Sequence, residues 1–306
     1  MLSLEKLLED GKLHIFLLGS GGPINNNIRV TSSIAIIAGG EFVLFDAGPG
    51  TYRNADLLRL PVAHLNAIFI THFHSDHIGD IGEANMMSWV SGRTNPLEIY
   101  GPPGIENVVN GFKLAYDFDT RYRLAHHGTE ILPPEAAIPI SRTINLQGDS
   151  EKRLCFNKKD LKVFAFEVDH SPVYPAFGYR IEYKGNIVVI SGDTKKIENL
   201  VKHSRNADIL FCEAISFDAL NNIKAAAQKL NQSRFIKILT DIQNYHMNPA
   251  SAARIAKEAN VKKLVLVHIT PSLPRVEKVY LNAIDETFNG DIIISEDRME
   301  FTLDCK

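Results

Sequence analysis

The stretch THFHSDHIGD, residues 71–80, places His72, His74, Asp76 and His77 within six positions, directly after the apolar run NAIFI (66–70). Imidazole and carboxylate crowded together suit zinc, iron or manganese, which accept N and O ligands side by side. A solvated charged face has no use for three histidines. NAIFI reads as a buried strand, so the motif sits on the loop that follows a strand end. A metal site needs further partners, and they stand at equivalent positions along the chain. His170 closes VFAFEVDH (163–170), Asp193 closes NIVVISGD (186–193), and His268 closes KKLVLVH (262–268). Each is a metal-capable side chain at the end of an apolar strand. Strands lying side by side would bring these ends to one rim, where open sheets bind ligands.

The remaining pattern is α/β. Strands are predicted over 12–19, 32–38, 41–48, 65–72, 97–104 (with a turn), 161–170, 176–193, 207–214, 261–270 and 290–303, the long one folded at a KGN hairpin turn. Helices are predicted over 79–92, 105–118 and 248–260, the last with Asn248 as N-cap and Pro249 at its first position. Residues 119–160 read as irregular. Two similar halves imply two sheets packed face to face with helices outside. The 306 residues, 45% hydrophobic, read as one domain over 1–306, with about 105–160 as a cover over the metal rim. GSGGP (19–23) lacks the spacing and lysine of a phosphate loop and reads as a tight turn near that rim.

Bulk numbers exclude some classes. A net charge of −3 carries no overall basic bias toward nucleic acid. Cys155, Cys212 and Cys305 form neither a CxxC pair nor a disulfide framework, which suits a reducing cytoplasm. No run approaches the roughly 20 apolar residues of a membrane span, and the N-terminus lacks a signal peptide's layout.

The ligand count fits two ions. His72, His74 and His170 form one set of three, and Asp76, His77 and His268 a second, with Asp193 placed to bridge them. Bridged ions sit about 3.5–4 Å apart and hold a shared hydroxide for in-line attack. Two Zn²⁺, less two aspartates and a hydroxide, leave a net charge of about +1, which favours an anionic ester.

THFHSDHIGD resembles the HxHxDH signature of the metallo-β-lactamase superfamily. FDAGPG (45–50) resembles the strand and turn ahead of it, where the aspartate (here Asp46) supports the site from behind the ligands. HSPVYPAFGYRIE (170–182), SGDT (191–194) and LVLVHIT (264–270) resemble later motifs of its ribonuclease Z-like and arylsulfatase-like branch. The resemblance implies a four-layer αββα sandwich and two zinc ions, with manganese or iron(II) as substitutes, on His72, His74, Asp76, His77, His170, Asp193 and His268. It also implies a Glu–His pair, carried here by Glu213 and His246, with His246 facing the scissile phosphate and donating a proton to the leaving oxygen. Asp76, His246 and Glu213 are the candidate catalytic residues.

The departures concern substrate. Met247 and Asn248 follow His246 where tRNA-processing members have Ser-Thr, and ITPSLPR (269–275) replaces their Ser and Arg-Tyr contacts. Their tRNA-gripping arm lies between the third histidine and the bridging aspartate. Here only 22 residues separate His170 from Asp193, and one hairpin fills them. The extra length falls before His170, where AYDFDTRYRLAHHGTE (115–130) brings Tyr116, Arg121, Arg123, His126 and His127. The expectation is a dinuclear zinc phosphodiesterase acting on a small anionic ester. A ribonuclease Z-type tRNA 3′-endonuclease is the alternative, and a lactonase or arylsulfatase a further one. RNA and a homodimer remain open as partners; a membrane is not expected.

Overall fold

The computed structural model describes residues 4–24, 28–146, 151–273, 276–284 and 288–305; Pro274 and Arg275 of ITPSLPR lie outside them. Fourteen strands are formed among the described residues: β1 (Leu13–Gly19), β2 (Ser33–Ala38), β3 (Glu41–Phe45), β4 (Leu65–Phe69), β5 (Glu98–Gly101), β6 (Ile140–Thr143), β7 (Lys152–Lys158), β8 (Leu161–His170), β9 (Val173–Tyr183), β10 (Asn186–Ile190), β11 (Ile209–Ile215), β12 (Lys263–Thr270), β13 (Asp291–Ile294) and β14 (Glu300–Leu303). They make two seven-stranded sheets, ordered β14-β1-β2-β3-β4-β5-β6 and β13-β12-β11-β10-β9-β8-β7.

Side-chain alternation explains the layering. Along β1, Leu13, Ile15 and Leu17 enter the core between the sheets, while Phe16 and Leu18 face the other way, toward helices. The inter-sheet core joins Ile34, Ile36, Val43, Phe45 and Phe69 to Val163, Phe177, Tyr179, Ile181, Val188, Phe211 and Val265. A second apolar layer covers the outer face of the first sheet, and a third packs Ala252, Ala253, Ile255 and Ala256 of the helix Pro249–Glu258 onto the second. The result is the expected αββα sandwich. Both faces of the central strands are buried, so their sequences read as continuous apolar runs.

β3–β4–β5–β6 and β10–β11–β12–β13 are parallel groups. The carboxyl ends of β3, β4, β10, β11 and β12 carry Asp46, His72, Asp193, Glu213 and His268. β9 and β10 are joined by Lys184 and Gly185 alone, both at positive φ (43° and 84°), which suits a two-residue hairpin turn.

The middle of the chain is more regular than the sequence predicts. Asp117–His127 is a helix with no buried residue, so no apolar stripe announces it. It is braced instead by Arg121–Asp117 (2.6 Å) and Arg123–Asp119 (3.0 Å), each at i,i+4 spacing. Helices Phe217–Lys229 and Ser233–Asp241 form a hairpin between β11 and His246, where the sequence patterning assigns no element.

Candidate metal centre

All seven proposed ligands meet at the rim. His72 Nε2 lies 2.9 Å from His74 Nδ1, and His170 Nε2 lies 3.4 Å from that same atom. Three lone-pair nitrogens thus converge on one point. On the other side, His77 Nε2 is 3.4 Å and His268 Nε2 3.3 Å from Asp76 Oδ2. Asp193 Oδ2 stands between the two groups, 3.3 Å from both His77 Nε2 and His268 Nε2, 3.8 Å from His72 Nε2 and 4.0 Å from His170 Nε2. Within each group the donor atoms fall within 4.8 Å of one another. Every ligand candidate is buried except His74, which is exposed at the mouth.

The donor set fits a divalent metal. His77 Nε2 is buried and makes no hydrogen bond despite two carboxylate oxygens within 3.4 Å. A buried ring nitrogen aimed into a carboxylate cluster without a hydrogen bond is what a metal ligand looks like, and an orphaned buried nitrogen is costly otherwise. The other face of the His77 ring is fixed: Nδ1 donates to Asp46 Oδ2 at 2.7 Å. Asp46 also accepts from the backbone N–H of Thr71 (2.8 Å) and from its hydroxyl (3.0 Å). His170 Nδ1 donates to the Tyr245 carbonyl at 3.1 Å, leaving Nε2 directed into the cluster. Such backing sets the tautomer and aim of a ligating imidazole.

Electrostatics divide the histidines. Burial pushes His72 well below its ordinary pKa and His170 down to about 4, so both are neutral and able to ligate near neutral pH. Burial opposes charge on His77 too, but Asp193, Asp46 and Asp76 outweigh it and hold that imidazole well above its usual value. Burial alone would raise the Asp193 carboxyl, yet His268 and His77 keep it well below the carboxylate range.

Backbone strain collects here. Asp46 and His268 adopt left-handed conformations (φ 57° each), unusual for residues other than glycine. Gly22, in the turn predicted near the rim, lies against His268: a Cβ there would be 2.7 Å from His268 Cε1 and 2.4 Å from Thr270 Oγ1. Close approach, not phosphate binding, accounts for that glycine.

Glu213 and His246 form a buried pair. His246 Nδ1 donates to Glu213 Oε1 at 2.9 Å, and the same oxygen accepts from the Thr194 N–H at 2.7 Å. Burial disfavours the imidazolium, but Glu213 prevails and lifts His246 to about 9. Its ring stacks on His268 at 5.2 Å and meets His170 at 5.0 Å, beside both ligand groups. Sequence reasoning missed Thr71, Thr194 and Tyr245. The only signal was adjacency, since each directly borders a singled-out residue. Tyr245 is half-buried at the mouth, its ring 5.2 Å from His170 and 4.8 Å from His246. Arg121, Arg123, His126 and His127 stand on the outer helix Asp117–His127, none of them in the ligand groups.

An αββα sandwich with a histidine–aspartate rim at its strand ends defines a metal-dependent hydrolase. The beta-lactamase superfamily domain matches residues 41–269, and the chain belongs to that superfamily, of metallo-β-lactamase fold. It is 31% identical to the Ribonuclease Z of Mycolicibacterium gilvum over 93% of this chain and 94% of that protein. It is 32% identical to the Ribonuclease Z of Mycobacterium bovis over 93% and 96%. Among solved structures, human tRNase Z, short form, superposes with a TM-score of 0.65 at 25% identity, over 94% of this chain and 98% of that one. The metallo-β-lactamase fold protein YhfI of Bacillus subtilis superposes with a TM-score of 0.66 at 19% identity, over 95% and 99%. Among the described residues no helix is long and apolar enough to cross a membrane.

Proposed function

We propose that the chain is a dinuclear zinc phosphodiesterase, with His72, His74 and His170 holding one ion, Asp76, His77 and His268 the other, and Asp193 shared. The observation that carries this reading is the position of Asp193 Oδ2, within 4.0 Å of one donor nitrogen from each of His72, His77, His170 and His268. Zinc bound there supplies Lewis-acid charge and an activated water. Asp76 and Asp193 offset the cations' mutual repulsion and leave a surplus of positive charge suited to an anionic ester. His246, kept protonated by Glu213, gives its proton to the leaving oxygen. Residues 1–306 act as a single hydrolase unit. The segment about 105–160 belongs to it through the helix Ile105–Ala115, whose Phe112 packs, with Tyr116 just beyond, against Gly82 behind the histidine loop.

The relatives named Ribonuclease Z favour a second reading, cleavage of precursor tRNA at its 3′ end. The test is a hydrolysis panel on zinc-loaded protein: bis(p-nitrophenyl) phosphate, a sulfate ester, a lactone and a precursor tRNA. Diester turnover lost in His246→Ala for poor leaving groups supports the proposal. Turnover of the lactone or sulfate ester alone refutes it.

A further inference from the structure

The helical hairpin Phe217–Lys229 and Ser233–Asp241 has both its roots in the metal centre. Glu213 lies four residues before its first helix and His246 five residues after its second, and the two are bonded to each other at 2.9 Å. The Ile215 N–H donates to the Met247 carbonyl (2.9 Å), and the Ser216 N–H to the Thr270 carbonyl (2.9 Å). Ile215, Leu220 and Leu239 clamp the base together with Phe217, Ile223 and Ile242. The far half is different: between Ala225 and Phe235 only Ala227 is buried. A helix of 13 residues is about 20 Å long, so the hairpin stands out from the rim as an arm.

Its charge is net positive, and its two acidic residues, Asp218 and Asp241, stand at the roots. From Ala219 to Thr240 the sequence holds Lys224, Lys229, Arg234 and Lys237 and no acidic residue, in a chain of net charge −3. Lys237 pairs with Asp241, just past this run. Lys224, Lys229 and Arg234 take part in no ion pair among the described residues. The other surface rich in arginine, Asp117–His127, is neutralised by its own aspartates. Phe235, 36% exposed, follows Arg234 directly. Cations interleaved with an exposed aromatic ring suit a phosphate backbone and the faces of unpaired bases.

We propose that this hairpin is an RNA-binding arm that holds the backbone of a polymeric substrate while the scissile diester lies in the metal centre. The inference rests on the phosphodiesterase reading and supplies a grip at a place other than the β9–β10 turn. An arm about 20 Å long is long enough to follow several consecutive phosphates of one strand. An anionic membrane would also attract the cations, but only a substrate needs an arm whose two roots are the reacting site.

The test measures binding of a precursor tRNA to zinc-loaded protein by fluorescence anisotropy across a salt series. The wild type is compared with a variant carrying Lys224→Gln, Lys229→Gln and Arg234→Gln, whose thermal unfolding is checked in parallel. The variant should bind about tenfold or more weakly, with the slope of log Kd against log salt reduced by about two to three. Its turnover of bis(p-nitrophenyl) phosphate, too small to reach the arm, should stay within about twofold. Unchanged RNA affinity and slope in the variant would overturn the proposal. So would a wild type that turns over the small diester yet binds no RNA, or that binds phosphatidylserine vesicles through these cations instead. Absent turnover of both substrates by a wild type that still binds RNA through the arm would sink the phosphodiesterase reading and leave the arm standing.

Discussion

Glu213→Gln isolates charge from shape at the proposed proton donor, His246. The Glu213 oxygen that accepts from His246 and from the Thr194 N–H can be replaced by an amide oxygen in the same place. The amide nitrogen would then occupy the position of Oε2, which is buried and unpartnered. Hydrogen bonding to His246 survives and the negative charge does not. Glu213 lifts His246 from an ordinary 6.5 to about 9 against the cost of burial. That lift corresponds to about 3 kcal/mol between the protonated and neutral forms. Without the charge, burial remains and only Asp193 still favours the imidazolium, so His246 should fall toward 6.5. The assay is the pH profile of kcat/KM for a phosphodiester with an alkyl leaving group, whose departure needs a proton. In the wild type the basic limb should fall near pH 9, where His246 loses its proton. In the variant it should move down by at least about two pH units, cutting the rate about thirtyfold at pH 8 and far less at pH 6. A p-nitrophenyl diester, which leaves without help, should show a much smaller effect. A uniform loss at every pH, or an unmoved basic limb, would refute the proton-donor role.

Zinc-loaded protein should carry close to two ions per chain by elemental analysis, and Asp193→Ala should lose both ions and activity together; one ion or none in the wild type would end the dinuclear assignment. Burial opposes charge on His77, but Asp193, Asp46 and Asp76 raise its pKa, so zinc uptake should displace a proton from it, besides any lost by metal-bound water. Calorimetry in two buffers of different ionisation heat measures the protons released, and His77→Ala should lower their number; heats independent of buffer in the wild type would contradict the assignment. Gly22→Ala forces a methyl group into the His268 ring and the Thr270 hydroxyl. It should cost about 1–3 kcal/mol of stability and the ion held by His268, while the His72, His74 and His170 group keeps its own. Normal melting and full metal content would show that the contact is not constraining.

The sequence alone was enough for the architecture and for which side chains meet. Period-two burial on strands covered on both faces leaves continuous apolar runs such as FVLF and LVLV, and these are legible without coordinates. Metal-capable side chains placed directly after such runs are legible too, because strands running in one direction end on a common rim. Hence His72, His170, Asp193 and His268 could be gathered from four distant places in the chain. What the sequence could not carry was anything set by contact between side chains or by exposed surface. Asp117–His127 is helical through charge pairs rather than an apolar stripe, and those same pairs cancel the arginines that look, in sequence, like a place to hold an anion. The arm Phe217–Asp241 has an apolar base that only folding completes, since Leu239 meets Ile215 across 24 residues. The division of labour among chemically identical imidazoles was also decided in three dimensions. Burial makes His72 and His170 neutral, while carboxylates closing around His77 and His246 keep them charged. A residue's pKa depends on the dielectric and the charges within a few ångströms, and those neighbours come from strands that only the packed sheets bring together.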